Sequence, residues 1–167
     1  MAFQVLDGEI AEVTHDDKKT YSVHTEVTID APPEKVWAVL TDFEKLAEWS
    51  PGMIAFEGEF RKDGPAKVTF KIGIGQLTQD FDHPLVHFEE GRMFGWSAPV
   101  PMMHMDDNHK YIVEPREDGK TQFIQSDQFV GTGAHWIGGI FARQTMQNYV
   151  KFNRALKARV EEMGVST

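Results

Sequence analysis

Polar and apolar side chains alternate along the segment 120–131 in a pattern that could place a carboxylate inside an apolar space. A period of two predicts a strand whose successive side chains point to opposite faces. Phe123 and Phe129 indicate that their face points inward, and Gln125 and Asp127 share that face. A carboxylate in such surroundings has an altered pKa, which suits either proton transfer or the orientation of a ligand.

The preceding predicted strand, 108–114, adds an imidazole, because His109 and Tyr111 share the face that we expect to be internal. We therefore predict that His109, Gln125 and Asp127 form the polar end of an internal pocket. Two interpretations stay open. The three groups satisfy one another, buried water or a ligand, or His109 and Asp127 act as a general acid/base pair in catalysis.

Large apolar side chains are expected to form the rest of the pocket wall, since flat rings and flexible methionines suit an apolar ligand. We expect them to come from the short helices, from the inward strand faces, from the Pro- and Met-rich connection 99–105, which could act as a lid, and from the start of the last helix. The predicted wall residues are Trp49, Trp96, Met103, Tyr111, Phe129, Phe141 and Gln144.

These residues need a scaffold, and the stretch 27–51 predicts how it begins. A strand is followed by an Asp-Ala-Pro-Pro break and then by two short helices, each of roughly two turns, which cannot be stable alone. Mostly strand-like segments follow, and one amphipathic helix over about 134–163 closes the chain. This order predicts a curved sheet around the C-terminal helix, with the short helices at one end.

Three segments resemble the START-like, or SRPBCC, superfamily, and within it the polyketide cyclase/dehydrase and lipid-transport group. They are VTIDAPPEKVWAVLTDFEKLAEWSPG, HKYIVEPREDGKTQFIQSDQFVG and FNRALKARVEE. The resemblance implies an α+β helix-grip fold, with an antiparallel sheet of about seven strands around the long C-terminal helix. It also implies an apolar cavity, because members bind lipids, sterols or polyketides and some catalyse cyclisation or dehydration. In related bacterial sequences an acidic residue, often Glu, stands at the position of Asp127.

Composition excludes several classes of protein. The 167 residues fit one domain, which we expect at 20–167, with 1–19 as a peripheral N-terminal segment. A net charge of −9 argues against nucleic acid as a partner. No apolar run approaches the roughly 20 residues needed to span a bilayer. The N-terminus has no secretory signal pattern and the chain has no cysteine, so we expect a cytoplasmic protein without disulfides.

Two other motifs have a structural and a functional interpretation. His104, Asp106, Asp107 and His109 could bind a metal ion, but strand periodicity turns His109 away from His104 and Asp106, so we predict no metal site. GTGAHWIGG, at 131–139, follows a strand and opens a helix, as a phosphate-binding loop does. No second parallel strand follows it, so we interpret its glycines as allowing a bend and close packing, and we predict no cofactor.

The sequence therefore supports several functions. The first is the binding of a small hydrophobic molecule, such as a lipid, a polyketide or an aromatic compound, between the sheet and the C-terminal helix. The second is an enzyme of the polyketide cyclase or dehydratase type that uses the His109 and Asp127 pair. The third is a protein-interaction module.

Overall fold

Two antiparallel sheets and a long helix make up the computed structural model, which describes residues 3–71, 77–100 and 102–165. In chain order the described elements are β1 (Glu9–Asp17), β2 (Thr20–Ile29), α1 (Pro33–Leu40), α2 (Leu46–Trp49), β3 (Met53–Gly58), β4 (Ala66–Lys71), β5 (Thr78–Asp82), β6 (His87–Glu89), β7 (Met93–Val100), β8 (Met105–Pro115), β9 (Thr121–Gly131) and α3 (Thr132–Val165). A 3₁₀ turn, Phe43–Lys45, leads into α2. The α+β helix-grip fold is therefore confirmed.

The sheets contain more strands than the sequence predicted. One has six strands in the order β1-β2-β9-β8-β7-β6, and the other has three in the order β3-β4-β5. Within the described ranges this makes nine strands, against an expected number of about seven. One of the additional strands is β1, which pairs with β2 inside the segment expected to be peripheral. Ala66, Val68, Phe70, Ile72 and Ile74 alternate with other residues in the sequence, which predicts one inward strand face over 66–74. Of this segment β4 covers 66–71, and 72–76 lie outside the described residues.

The two short helices pack where the sequence predicted, against the sheet and α3. Pro33 opens α1 with a favourable φ and no lost hydrogen bond. Val36 and Leu40 of α1 and Leu46 of α2 are fully buried in the main core. Without this burial, helices of eight and four residues would be unstable.

The long helix α3 crosses the six-stranded sheet and is 34 residues long. Phe152, Leu156 and Val160 are buried in the main core beside residues of the sheet and of the short helices, as the amphipathic pattern of the helix predicts. Near its first turns Trp136 and Ile140 are 82% and 80% exposed. Within the described residues, no helix is long and apolar enough to cross a lipid bilayer.

Glycines bring the start of α3 close to the β7–β8 hairpin. A Cβ on Gly133 would lie 1.6 Å from the carbonyl oxygen of Met103, and one on Gly131, at φ 149°, would lie 2.4 Å from that of His104. The structural interpretation of GTGAHWIGG, a bend with close packing, is therefore confirmed.

The connection predicted over 99–105 is shorter in the structure. Pro99 and Val100 belong to β7, Met105 belongs to β8, and Val100 pairs with Met105. Gly133 N donates to the His104 carbonyl oxygen at 3.1 Å, which joins the hairpin to α3. The predicted connection is therefore the tip of a paired hairpin, whose residue 101 lies outside the described part. Its role as a lid stays a prediction.

Candidate functional site: a cavity with a polar layer

A cavity of about 720 Å³ lies between the two sheets and α3. This volume is typical of a pocket for a small organic molecule. Its wall is built mainly from β4, β5, β7, β8, β9 and the middle of α3. The aromatic residues on the wall are Phe70, Phe81, Trp96, Tyr111, Phe129, Phe141, Tyr149 and Phe152.

A layer of polar residues separates the two apolar clusters of the interior. On β2 the buried Thr25 stands between Val23 of one cluster and Val27 of the other. On β9 the inward positions 125 and 127 likewise lie between Phe123 and Phe129. We call this the polar layer; its members are Thr25, Asp107, His109, Gln125, Asp127, Tyr149 and Asn153.

Strand register explains why the layer is continuous. Thr25 pairs with Gln125 between β2 and β9, and Gln125 pairs with Tyr111 between β9 and β8. Because side chains alternate on each strand, paired or nearby inward positions on neighbouring strands lie side by side. Asn153 of α3 covers this row from above, with its side-chain nitrogen 3.1 Å from Thr25 Oγ1.

One hydrogen-bond chain crosses the layer and has a fixed direction. The Thr25 hydroxyl donates to the Gln125 carbonyl oxygen at 3.3 Å, so its oxygen accepts from Asn153 Nδ2. Asn153 Oδ1 then accepts from Gln125 Nε2 at 2.7 Å, and the same Nε2 donates to the Tyr149 carbonyl oxygen at 3.3 Å. Gln125 Oε1 is left to accept from His109 Nε2 at 3.0 Å.

This chain of hydrogen bonds determines which ring nitrogen of His109 carries the proton. Its Nε2 must carry a proton in order to donate to Gln125, so in the neutral ring Nδ1 is the acceptor. Burial lowers the pKa of His109 to about 3, which keeps the imidazole neutral near pH 7. The ring stacks on Tyr149, with centroids 4.4 Å apart and planes 9° apart.

Asp127 is held by three donors. Its Oδ1 accepts from the backbone N–H groups of Asn108 and Gln128 at 3.0 and 2.7 Å, and its Oδ2 accepts from the Tyr149 hydroxyl at 2.5 Å. Burial and the negative charge of Asp107 nevertheless raise the pKa of Asp127 to about 7, although the three donors oppose the change. Asp127 is therefore able to gain or lose a proton near neutral pH.

Asp107 also belongs to the site. From the sequence it was a candidate only for binding a metal ion. It lines the cavity, and its Oδ1 accepts from the Ala98 backbone N–H at 3.2 Å. Burial raises its pKa to about 6, while hydrogen bonds from Ala98 and the Trp96 side chain act in the opposite direction. The sequence contained a signal for Asp107, because alternate residues of a strand face the same side and position 107 therefore shares the inward face of 109 and 111.

His83 is a second cavity residue for which the sequence gave no functional signal. It is only 7% exposed and lines the cavity. Its ring lies parallel to those of Phe81 and Trp96, at centroid distances of 5.3 and 5.5 Å. Its Nδ1 is buried and has no hydrogen-bond partner within the described residues.

The structure brings most of the predicted site residues to one cavity. Trp49 and Met103 are absent from its described wall: Trp49 packs on Phe152, and Met103 packs beside the smaller apolar cluster. The predicted residues on the described wall are Trp96, His109, Tyr111, Gln125, Asp127, Phe129, Phe141 and Gln144. Their roles toward a ligand stay predictions.

His109 and Asp127, predicted as an acid/base pair, are connected through other residues. His109 bonds to Gln125, and Asp127 bonds to Tyr149. Tyr149 links the two, because its ring stacks on His109 while its hydroxyl donates to Asp127. The group in direct contact with Asp127 is therefore a phenol that came from α3, for which strand periodicity gave no signal.

A family model described as polyketide cyclase/dehydrase and lipid transport matches residues 20–161. The chain therefore belongs to this family. A search of curated proteins found no match.

Solved structures agree on the fold. A protein from Rhodobacter sphaeroides has a TM-score of 0.68 at 16% identity, covering 92% of this chain and 99% of its own. Ara h 8.0201 has a TM-score of 0.65 at 17% identity, covering 86% and 99%. The Zhui aromatase/cyclase from Streptomyces sp. R1128 has a TM-score of 0.60 at 19% identity, covering 85% and 94%.

Proposed function

We propose that this protein binds a small, mostly hydrophobic molecule in the cavity between its sheets and α3. The observation that carries the proposal is the cavity itself, of about 720 Å³, with rings along its wall and one polar layer. Apolar surface supplies the affinity, and a few placed polar groups orient the ligand. Membership of a family whose description includes lipid transport supports this function. A cytoplasmic location stays a prediction.

A substitution that fills part of the cavity tests this proposal. Thr145 lines it from α3, whereas Arg143, two residues earlier, is exposed and absent from the described wall. With the neutral probe N-phenyl-1-naphthylamine, Thr145→Trp is expected to weaken binding about tenfold or more, because the indole takes the ligand's volume. Arg143→Trp is the matched control and should bind like the wild type.

Fluorescence titration of the three proteins measures the effect. Equal probe affinity in all three proteins, or no binding by the wild type, would count against a ligand cavity. Organic extraction of the purified protein, followed by mass spectrometry, would identify any apolar molecule that copurifies.

Proton-transfer chemistry, as in a cyclase or dehydratase, is the second candidate. It is favoured by the direct contact of Tyr149 with Asp127 and by the pKa of Asp127, which is about 7. An acid or base with a pKa near the working pH transfers protons most effectively. His109 is less suited to act as a base, since burial lowers its pKa to about 3. In this second candidate Asp127 carries the reaction and the neutral His109 orients the substrate.

A further inference from the structure

The polar end of the cavity holds two carboxyl groups whose described bonding partners are all neutral. Asp107 and Asp127 both line the cavity. Neither forms an ion pair within the part of the chain that the structure describes. The hydrogen-bond donor to Asp107 is the Ala98 N–H, and the donors to Asp127 are the Asn108 N–H, the Gln128 N–H and the Tyr149 hydroxyl.

The positive charges on the cavity wall do not neutralise these carboxyl groups. Lys71 and Lys151 line the same cavity, but the Lys71 ammonium donates to the Ser50 carbonyl oxygen at 3.1 Å. Within the described part of the chain, neither lysine pairs with Asp107 or Asp127. The other titratable groups on the wall carry no compensating charge near pH 7. Burial lowers the pKa values of His83 and His109 and raises those of Tyr111 and Tyr149.

His83 supplies an independent sign that a ligand belongs here. A buried imidazole nitrogen without a partner costs free energy, so natural structures rarely leave one. His83 and Asp107 contact neighbouring residues of β7: His83 stacks on Trp96, and Asp107 accepts from the backbone N–H of Ala98, two residues further along. Both residues line the cavity, so a ligand bound there would lie against both.

The surrounding rings suit a cation with an apolar body. A positive charge is attracted to the faces of tryptophan, tyrosine and phenylalanine, and more strongly where water is excluded. Trp96 and Tyr111 are 1% exposed, and both lie on the cavity wall with Tyr149. Phe129 and Phe141 extend this wall with an edge-to-face contact at 4.9 Å.

We propose that the ligand of this cavity is a protonated amine on an apolar, ring-sized body, with its ammonium bound by Asp107 and Asp127 and hydrogen-bonded to His83. This inference rests on the proposed function, because it requires that the cavity hold a ligand. It adds the chemical class of that ligand. A desolvated ammonium would supply the positive charge that both carboxylates lack, and its N–H groups would give the His83 nitrogen a donor.

The test compares three probes with the same naphthalene body. They are 1-naphthylmethylamine, which is cationic, 1-naphthalenemethanol, which is neutral, and 1-naphthoate, which is anionic. Isothermal titration of the wild type is expected to give the amine an affinity at least about tenfold higher than that of the alcohol, with the naphthoate weakest. An amine that binds no better than the alcohol, or a naphthoate that binds best, would overturn the inference.

Substitutions test which residues produce the preference for the amine. Asp107→Asn and Asp127→Asn should each lower the ratio of amine affinity to alcohol affinity about tenfold, and circular dichroism checks that the variants are folded. His83→Phe keeps the ring stack and removes the acceptor, so it should weaken amine binding about threefold. Asp106→Asn removes an exposed carboxylate next to Asp107 and serves as the matched control.

The outcomes separate the two proposals. If none of the three probes binds, the cavity is not a ligand site and the proposed function fails. Suppose that the alcohol binds, but that Asp107→Asn and Asp127→Asn bind the amine as tightly as the Asp106→Asn control does. In that case only the amine inference fails.

Discussion

At the scale of single residues, Asn153 determines whether the polar layer stays satisfied. It accepts from Gln125 and donates to Thr25, and it is 2% exposed. Asn153→Leu keeps a similar volume but removes both bonds, so we expect the free energy of unfolding to fall by about 1 to 3 kcal/mol for each buried group left unsatisfied. Urea denaturation measures this loss.

Asn148→Leu is the control, because Asn148 is on the same helix but exposed. An equal, small change in both variants would mean that the chain of hydrogen bonds contributes little. A large loss confined to Asn153→Leu would also predict a change in the environment of the His109 ring, which depends on Gln125 for its tautomer.

At the scale of elements, α3 owes its position to its buried apolar residues rather than to its intrinsic helix stability. Leu156 is fully buried in the main core, whereas Ile140 on the same helix is 80% exposed. Leu156→Ala is expected to cost about 2 to 5 kcal/mol because it removes apolar contact and leaves a cavity. Ile140→Ala should change stability by less than about 0.5 kcal/mol.

Thermal and urea unfolding of these two variants measure how much each side chain stabilises the packing of α3. Similar midpoints for Leu156→Ala and the wild type would show that α3 is not packed as described. A large loss in Ile140→Ala would instead mean that the start of α3 is covered in solution.

At the scale of the whole molecule, the buried carboxyl groups make stability depend on pH. Asp127 has a pKa of about 7 when folded and 3.8 as its ordinary value. Between these values the folded protein binds more protons than the unfolded chain, so the stability contributed by Asp127 is present at low pH and is lost as pH rises toward 7. The loss is on the order of 4 kcal/mol, since each pH unit between the two values costs about 1.4 kcal/mol.

The comparison uses Asp127→Asn against Asp106→Asn. His109 acts in the opposite direction, because its folded pKa of about 3 lies below the ordinary 6.5 and its contribution is lost as pH falls. His109 is present in every variant, so its contribution to stability cancels when the variants are compared. The stability of the wild type relative to Asp127→Asn should decrease between about pH 4 and pH 7. A constant difference would contradict the raised pKa of Asp127.

The sequence by itself determined what depends on short-range periodicity. Alternation gave the inward faces of β8 and β9, and the helical period gave α3 and the burial of Phe152 and Leu156. Prolines and chain order gave the two short helices. These properties need only neighbouring residues, so they can be predicted without knowing which distant segments meet.

Only the tertiary structure decided how the site is assembled. Thr25 and Asn153 are 128 residues apart yet share a hydrogen bond, and His83 comes from a segment between strands that has no period to read. The contact of Tyr149 with Asp127 depends on how α3 crosses the sheet. The pKa values of Asp107 and Asp127 follow from their joint burial, because desolvation and mutual repulsion arise only when folding brings the groups together.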